Sequence, residues 1–71
     1  MVDQAEQFLL DHDFKQLRVR IHGNIARIEV MPDEMDRLLE LHKEVNDRFR
    51  EIGFTYVTMD LKGYRTGSMN E

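Results

Sequence analysis

The sequence predicts a small α/β (α+β) domain of two layers, with the element order α-β-β-α-β. The apolar residues change from helical spacing to strict alternation at Lys15, and they return to helical spacing after Pro32. A Gly23-Asn24 pair separates two alternating runs, which is typical of a β-hairpin with a tight turn. With 71 residues the chain is long enough for one domain, residues 1–71.

The first helix is predicted over residues 3–12. Asp3 followed three residues later by Glu6 fits a capping box, in which both side chains satisfy backbone N–H groups at the helix start. Ala5 and Leu9 then share one face at helical spacing. A frayed terminus is the alternative for so short a segment.

Two strands are predicted over residues 17–22 and 25–30, joined by Gly23-Asn24. With these two residues as the loop, His22 faces Ile25 and the other pairs run outward from there. This register places all the alternating apolar residues on one face, and a slip by one residue would scatter them. They are Leu17, Val19, Ile21, Ala26, Ile28 and Val30.

A second helix is predicted over residues 32–52, with Pro32 in its first turn and Gly53 just beyond its end. A third strand is predicted over residues 54–61, with Phe54, Tyr56, Thr58 and Asp60 on one face and Thr55, Val57, Met59 and Leu61 on the other. A strand, a crossover helix and a strand form a right-handed parallel unit. We therefore expect a three-stranded mixed sheet in the order 2-1-3, with both helices on one face and the other face bare and polar.

Arginines dominate the polar face of the predicted hairpin. The register places Arg18 opposite Glu29 and Arg20 opposite Arg27. The planar guanidinium binds phosphate or carboxylate through two bonds and keeps its charge. This face therefore suits an anion or an acidic partner surface, and the alternative is a solvated face with an ordinary surface salt bridge.

The tail from Gly63 to Ser68 is a second candidate anion site. Glycines let backbone N–H groups converge on an anion, and Arg65 with two hydroxyl groups could complete the cradle. The segment is not a Walker sequence. A disordered terminus is the alternative.

The composition excludes several kinds of site. The chain has no cysteine, so it holds no disulfide, thiolate metal site or cysteine nucleophile, and its three histidines lack metal-site spacing. We assign no catalytic residue. No apolar run is long enough to span a bilayer, which leaves a cytoplasmic location as the expectation. The net charge of −4 argues against nucleic acid as a partner, although Phe54 and Tyr56 could stack RNA bases on the open sheet face.

Two segments resemble one enzyme family, the LarE-type ATP-dependent sacrificial sulfur transferases. One begins at Leu17-Arg18-Val19-Arg20 and continues through His22-Gly23 to Ala26-Arg27-Ile28-Glu29-Val30. The other is Gly53-Phe54-x-Tyr56-Val57-Thr58-x-Asp60-Leu61-x-Gly63-Tyr64-Arg65-x-Gly67-Ser68-Met69-Asn70, which is similar to that family's C-terminus. The resemblance covers nearly the whole chain.

The resemblance implies a reaction that needs a longer protein. The family belongs to the PP-loop, or adenine nucleotide α-hydrolase-like, superfamily, and some members are described as NAD/GMP synthase-like or ExsB-like. With ATP and Mg²⁺, its members adenylylate a carboxylate of a pyridinium mononucleotide. A cysteine then gives up its sulfur, and the product matures into the nickel-pincer cofactor of lactate racemase.

This chain lacks both the Ser-Gly-Gly PP-loop and any cysteine. We therefore expect a C-terminal fragment that is not catalytically competent by itself and holds no cofactor. Its implied partners are an N-terminal PP-loop domain, the mononucleotide substrate and further copies of the protein.

Particular residues match the family's site positions. Arg18, Arg20 and Arg65 match positions that the resemblance assigns to substrate or phosphate binding. Glu29 and Glu6 match acidic positions implicated in metal binding. A further acidic ligand is expected after Glu29, but Arg37 stands at that place, with Asp33 and Asp36 nearby. The competing interpretation is a free-standing α/β module that binds a protein or a small ligand.

Overall fold

A computed structural model describes residues 1–65. Three helices, one short 3-10 helix and three strands follow one another in the chain. They are α1 (Val2–Asp11), β1 (Leu17–His22), β2 (Ile25–Val30), the 3-10 helix (Pro32–Glu34), α2 (Met35–Glu40), α3 (His42–Ile52) and β3 (Tyr56–Met59). The predicted α+β class and the mixed three-stranded sheet are confirmed. The part of the proposed anion cradle beyond Arg65 lies outside the described residues.

The β1–β2 hairpin has the predicted register at every position. His22 pairs with Ile25 next to the turn, and Leu17 pairs with Val30 at the far end. Gly23 has φ +62°, a left-handed conformation that tight hairpin turns require and that glycine adopts without a steric cost. The apolar face of the hairpin is therefore the one that the alternation predicts.

The predicted strand order 2-1-3 is wrong, because the observed order is β1-β2-β3. β3 pairs in parallel with β2, from Ile25 opposite Tyr56 to Ile28 opposite Met59. A contact at the edge of β1 helps to explain why β3 does not pair there. The Glu6 carboxylate accepts a hydrogen bond of 2.9 Å from the Val19 N–H on the outer edge of β1, so α1 covers that edge.

At the other edge of the hairpin, hydrogen bonds from the turn fix the position at which β3 begins. The Asn24 carbonyl accepts a 2.8 Å hydrogen bond from Thr55 N–H, and the Asn24 side-chain amide donates to the Thr55 hydroxyl at 2.8 Å. β3 therefore begins next to the turn and continues along β2.

Two helix predictions need correction. α1 begins at Val2 with no side-chain cap, and Glu6 binds β1 instead of closing a capping box with Asp3. The helix predicted over residues 32–52 is interrupted at Leu41, whose ψ of 15° leaves the helical region. Leu41 N–H is shared between two carbonyl groups at 3.1 Å each, as at a helix end.

The third strand is shorter than predicted. Because it begins at Tyr56, the alternation does not extend back to Phe54, which is buried with its ring 5.8 Å from that of Phe49. Leu61 is predicted on the same face as Val57 and Met59, but it is 80% exposed because the chain turns at Leu61 and Lys62.

The core lies between the helices and one face of the sheet. Its largest fully buried side chains are Leu9, Phe14, Ile28, Val30 and Phe49. Among the described helices none has both the length and the apolar character that crossing a membrane requires.

Arg37 of α2 forms hydrogen bonds with the segment between α1 and β1. Its guanidinium donates to the carbonyl groups of His12 at 2.8 Å and Asp13 at 2.9 Å, and it lies 4.2 Å above the centre of the Phe14 ring. Arginine suits this position because its planar group can donate in two directions while stacking on an aromatic face.

Gly63 closes the turn after β3 and has φ +84°. A Cβ atom at this position would lie 2.9 Å from the Val30 carbonyl oxygen and 3.0 Å from the Met35 methyl group. The carbonyl cannot withdraw, because it accepts a 2.7 Å hydrogen bond from Tyr64 N–H. Gly63 is therefore required both for its backbone conformation and for its close approach to β2.

We expect Gly63→Ala to lower the free energy of unfolding by about 2–4 kcal/mol, which combines left-handed strain with steric crowding. Gly23→Ala is the matched control, because Gly23 has φ +62° and no atom within 4 Å of an added Cβ. It should cost only the strain, about 1–2 kcal/mol. Urea unfolding of both variants measures the difference, and equal losses would contradict the packing role of Gly63.

Candidate functional site

The sheet face turned away from the core, which we call the open face, carries three side chains from each strand. Alternation places them there, because the residues between them, except the exposed Ile21, lie in the core or pack against it. The rows across β1, β2 and β3 are His22–Ile25–Tyr56, Arg20–Arg27–Thr58 and Arg18–Glu29–Asp60. Asp60 extends the last row because its N–H donates to the Ile28 carbonyl at 2.8 Å, as a further residue of a parallel strand would.

Glu29 lies at the centre of the charges on the open face and is only 4% exposed. Its Oε2 atom is 3.2 Å from Arg27 Nη2, which donates a hydrogen bond, and 3.4 Å from Arg20 Nε. Arg27 Nε is also 3.6 Å from Asp60 Oδ2. A chain of alternating charges therefore crosses all three strands, and the buried carboxylate of Glu29 lies between two arginines that face each other.

Arg18 does not take part in this chain of charges. Its backbone lies opposite Glu29, as predicted, but the ion pairs of Glu29 are with Arg20 and Arg27. Within residues 1–65 the exposed Arg18 side chain has no hydrogen-bond or ion-pair partner. Three arginines on the open face are matched by two carboxylates, so one positive charge remains unbalanced there.

The fold brings Arg65 to the same end of the sheet as Arg18. Tyr64 N–H donates to the Val30 carbonyl, which places the following Arg65 beside the C-terminal end of β2. Leu17 pairs with Val30 on the opposite side, so Arg18 belongs to the same end. Two strand spacings, about 10 Å, separate these flanking segments.

The two predicted metal ligands are in different environments. Glu6 binds the edge of β1 through its carboxylate, whereas Glu29 is held between two arginines on the open face. Arg37 is occupied by the carbonyl groups after α1. Nowhere in residues 1–65 do three or more His, Asp or Glu side chains form a group that could hold a metal ion. The described donors do not form a metal site by themselves, and the metal role of Glu6 and Glu29 stays a prediction.

Three residues of the open face are not among the site residues that the sequence predicts, although Tyr56 is a candidate for stacking RNA bases. Arg27 and Asp60 became partners only because β3 lies beside β2, which the predicted strand order did not allow. Tyr56 is 62% exposed and, since Phe54 is buried, it is the aromatic residue that β3 presents on this face. In the sequence, the alternation over Tyr56, Thr58 and Asp60 indicates only that these three side chains share the polar face.

Known proteins match most of the chain. It is 42% identical over 67 residues to the pyridinium-3,5-bisthiocarboxylic acid mononucleotide synthase of Lactiplantibacillus plantarum, which covers 94% of this chain and 24% of the synthase. Almost the whole of this chain is thus similar to about a quarter of that synthase.

Two uncharacterised proteins are also similar. One, from Synechocystis sp., is 38% identical over 71 residues, and the other, from Methanocaldococcus jannaschii, is 29% identical over 65 residues. These matches cover 97% and 92% of this chain. The chain spans about a quarter of the length of these curated relatives. No family model matches.

We expect Glu29→Gln to lower the free energy of unfolding by about 1–3 kcal/mol. The variant keeps the size of the side chain but leaves Arg20 and Arg27 facing each other without a negative charge between them. The estimate is below that for a fully buried pair, because both arginines are about one-third exposed.

The matched control is Glu51→Gln, which breaks the 3.2 Å surface pair of Arg48 and Glu51. That pair is largely solvated, so the loss should be at most about 0.5 kcal/mol. Chemical unfolding of both variants provides the comparison. Equal stability of the two variants would show that Glu29 does not hold the arginines together.

Proposed function

We propose that this chain is the substrate-phosphate-binding and assembly domain of a longer ATP-dependent sulfur transferase that makes a sulfur-containing pyridinium mononucleotide. Its similarity to a pyridinium-3,5-bisthiocarboxylic acid mononucleotide synthase supports the substrate class. The observation that carries the proposal is the open face, where the exposed Arg18 keeps its full donor capacity beside a chain of neutralised charges.

In this proposal Arg18, Arg20 and Arg65 bind the phosphate of the mononucleotide. A phosphate carries up to two negative charges and accepts paired hydrogen bonds from a guanidinium group. Glu29 contributes by orienting Arg20, whose Nε faces the carboxylate while the distal nitrogen atoms remain available. The unbalanced positive charge of the open face attracts the anion.

The rest of the reaction requires groups outside this chain. With no cysteine in the sequence, the sulfur donor must belong to another part of a longer protein. In the proposal an N-terminal PP-loop domain would bind ATP with Mg²⁺ and transfer AMP to the substrate carboxylate, with release of pyrophosphate. The present chain then forms the C-terminal domain of a cytoplasmic homo-oligomer whose product serves the nickel-pincer cofactor of lactate racemase. The proposal assigns the open face to the phosphate and not to the adenylylation chemistry.

The experiment compares nicotinic acid mononucleotide with nicotinic acid riboside, which has the same ring and sugar but no phosphate. NMR titration of the 71-residue chain gives both affinities. Replacing Arg18, Arg20 or Arg65 singly by Gln should weaken mononucleotide binding about threefold to tenfold, the range of an exposed charge-assisted contact. The affinity for the riboside should be unchanged, and added salt should reduce the difference between the two ligands.

Arg50→Gln is the matched control, because Arg50 is an exposed arginine of α3, on the other layer of the domain. It should leave both affinities unchanged. Arg18→Gln is the clearest of the three test variants, since it breaks no ion pair within residues 1–65. If the Arg18 variant weakens both ligands equally, or weakens neither, then Arg18 does not bind the phosphate and a solvated surface accounts for it.

A further inference from the structure

Tyr56 is a large aromatic side chain that lies outside the core and is exposed on the open face. It is 62% exposed, whereas its β2 neighbour Ile25 is partly buried. The core is complete without Tyr56, because the next residue along β3, Val57, packs against it from the other face. An exposed aromatic ring in the row next to two arginines is available for a ligand.

The backbone of Tyr56 is held rigidly by the hairpin turn. The Asn24 carbonyl accepts hydrogen bonds from Thr55 N–H at 2.8 Å and from Tyr56 N–H at 3.4 Å. The Asn24 side chain also donates to the Thr55 hydroxyl at 2.8 Å. The backbone of Tyr56 therefore enters β3 at a fixed position, so binding a ligand requires ordering of the side chain alone.

The spacing between rows on the open face fits a mononucleotide. Tyr56 belongs to the first row and the facing arginines Arg20 and Arg27 belong to the second. Residues two apart on a strand are about 6.6 Å apart, and neighbouring strands are about 4.8 Å apart. Tyr56 and Arg20 are one row and two strands apart, about 12 Å between their Cα atoms. The extended arginine side chain and one sugar phosphate together span this distance to a ring stacked on Tyr56.

We propose that Tyr56 is a specificity residue that stacks on the aromatic ring of a mononucleotide while the arginines bind its phosphate. The inference rests on the proposed function for the phosphate end of the ligand. A pyridinium ring is the best occupant, because its positive charge is attracted to the electron-rich face of the tyrosine ring. The open face would then select a ligand with a cationic ring at one end and an anion at the other.

The test replaces Tyr56 by Phe, which keeps a ring, and by Leu, which keeps only apolar bulk. Three ligands are titrated by NMR: nicotinic acid mononucleotide, nicotinic acid riboside and ribose 5-phosphate. We expect Tyr56→Leu to weaken mononucleotide and riboside binding by about fivefold or more, the lower range for loss of a stacked aromatic. Ribose 5-phosphate should bind the wild type and the Leu variant equally, and Tyr56→Phe should retain most of the affinity for all three ligands.

A second readout is independent of affinity. A ring stacked on Tyr56 moves its pyridine proton resonances upfield, and this shift should persist with Phe and disappear with Leu at matched occupancy. Leu61→Ala is the control for a general loss of exposed apolar surface, since Leu61 is 80% exposed and comes after β3. It should change neither the affinities nor the shifts.

The outcomes separate the two proposals. If Arg18→Gln weakens ribose 5-phosphate binding but Tyr56→Leu changes neither the mononucleotide affinity nor the proton shifts, the stacking role of Tyr56 is wrong and the phosphate site stands. If ribose 5-phosphate binding does not depend on Arg18, while riboside binding still depends on Tyr56, the proposed phosphate function fails and ring recognition stands.

Discussion

The parallel pairing of β3 with β2 is the constraint on which the open face depends. It makes β2 the central strand, so Glu29 has neighbours on both sides and is almost completely buried. It also brings Asp60 within 3.6 Å of Arg27. In the order 2-1-3 the arginines of β1 would occupy the centre and Glu29 would lie on an outer strand. The net charge of the face would be the same, but Glu29 would no longer lie between Arg20 and Arg27 with a strand on each side.

This arrangement gives the arginines of the open face different surroundings. Arg20 and Arg27 face each other across two strands, which would be unfavourable without a shared carboxylate. Glu29 supplies that carboxylate at contact distances of 3.2–3.4 Å. Desolvating Glu29 offsets much of the attraction, whereas removing the carboxylate alone leaves two facing arginines without a counter-charge between them. Arg18 lies outside the cluster, and its exposed side chain has no ion-pair partner within residues 1–65.

The sequence was sufficient wherever local rules decide the structure. Alternation and the Gly23-Asn24 turn predicted every pair of the hairpin, including Arg18 opposite Glu29. The strand order depends on which edge of the hairpin is open, and the contacts of Glu6 with Val19 and of Asn24 with Thr55 decide that. These contacts join distant parts of the chain, and no periodicity reveals them.

The interruption at Leu41 and the burial of Phe54 were missed for related reasons. No proline or glycine marks the interruption, and the alternation that placed Phe54 on the polar face holds only from Tyr56 onward. The sequence predicted the cationic side of the candidate site, Arg18 and Arg20. It did not predict the Arg27–Asp60 contact, because that contact required the correct strand order.

Asn24 takes part in a local turn and in a distant contact, and this affects the order of folding. Asn24 closes a hairpin whose contacts are all local, and it also binds Thr55, which is 31 residues further along the chain. Local hairpins form within microseconds, whereas distant contacts require the closure of a long loop with a larger entropic cost. The hairpin can therefore form first and present an edge whose starting point is already marked. The third strand then needs to find only the Asn24 end of the β2 edge. Once it starts there, it is in register with β2 along its whole length.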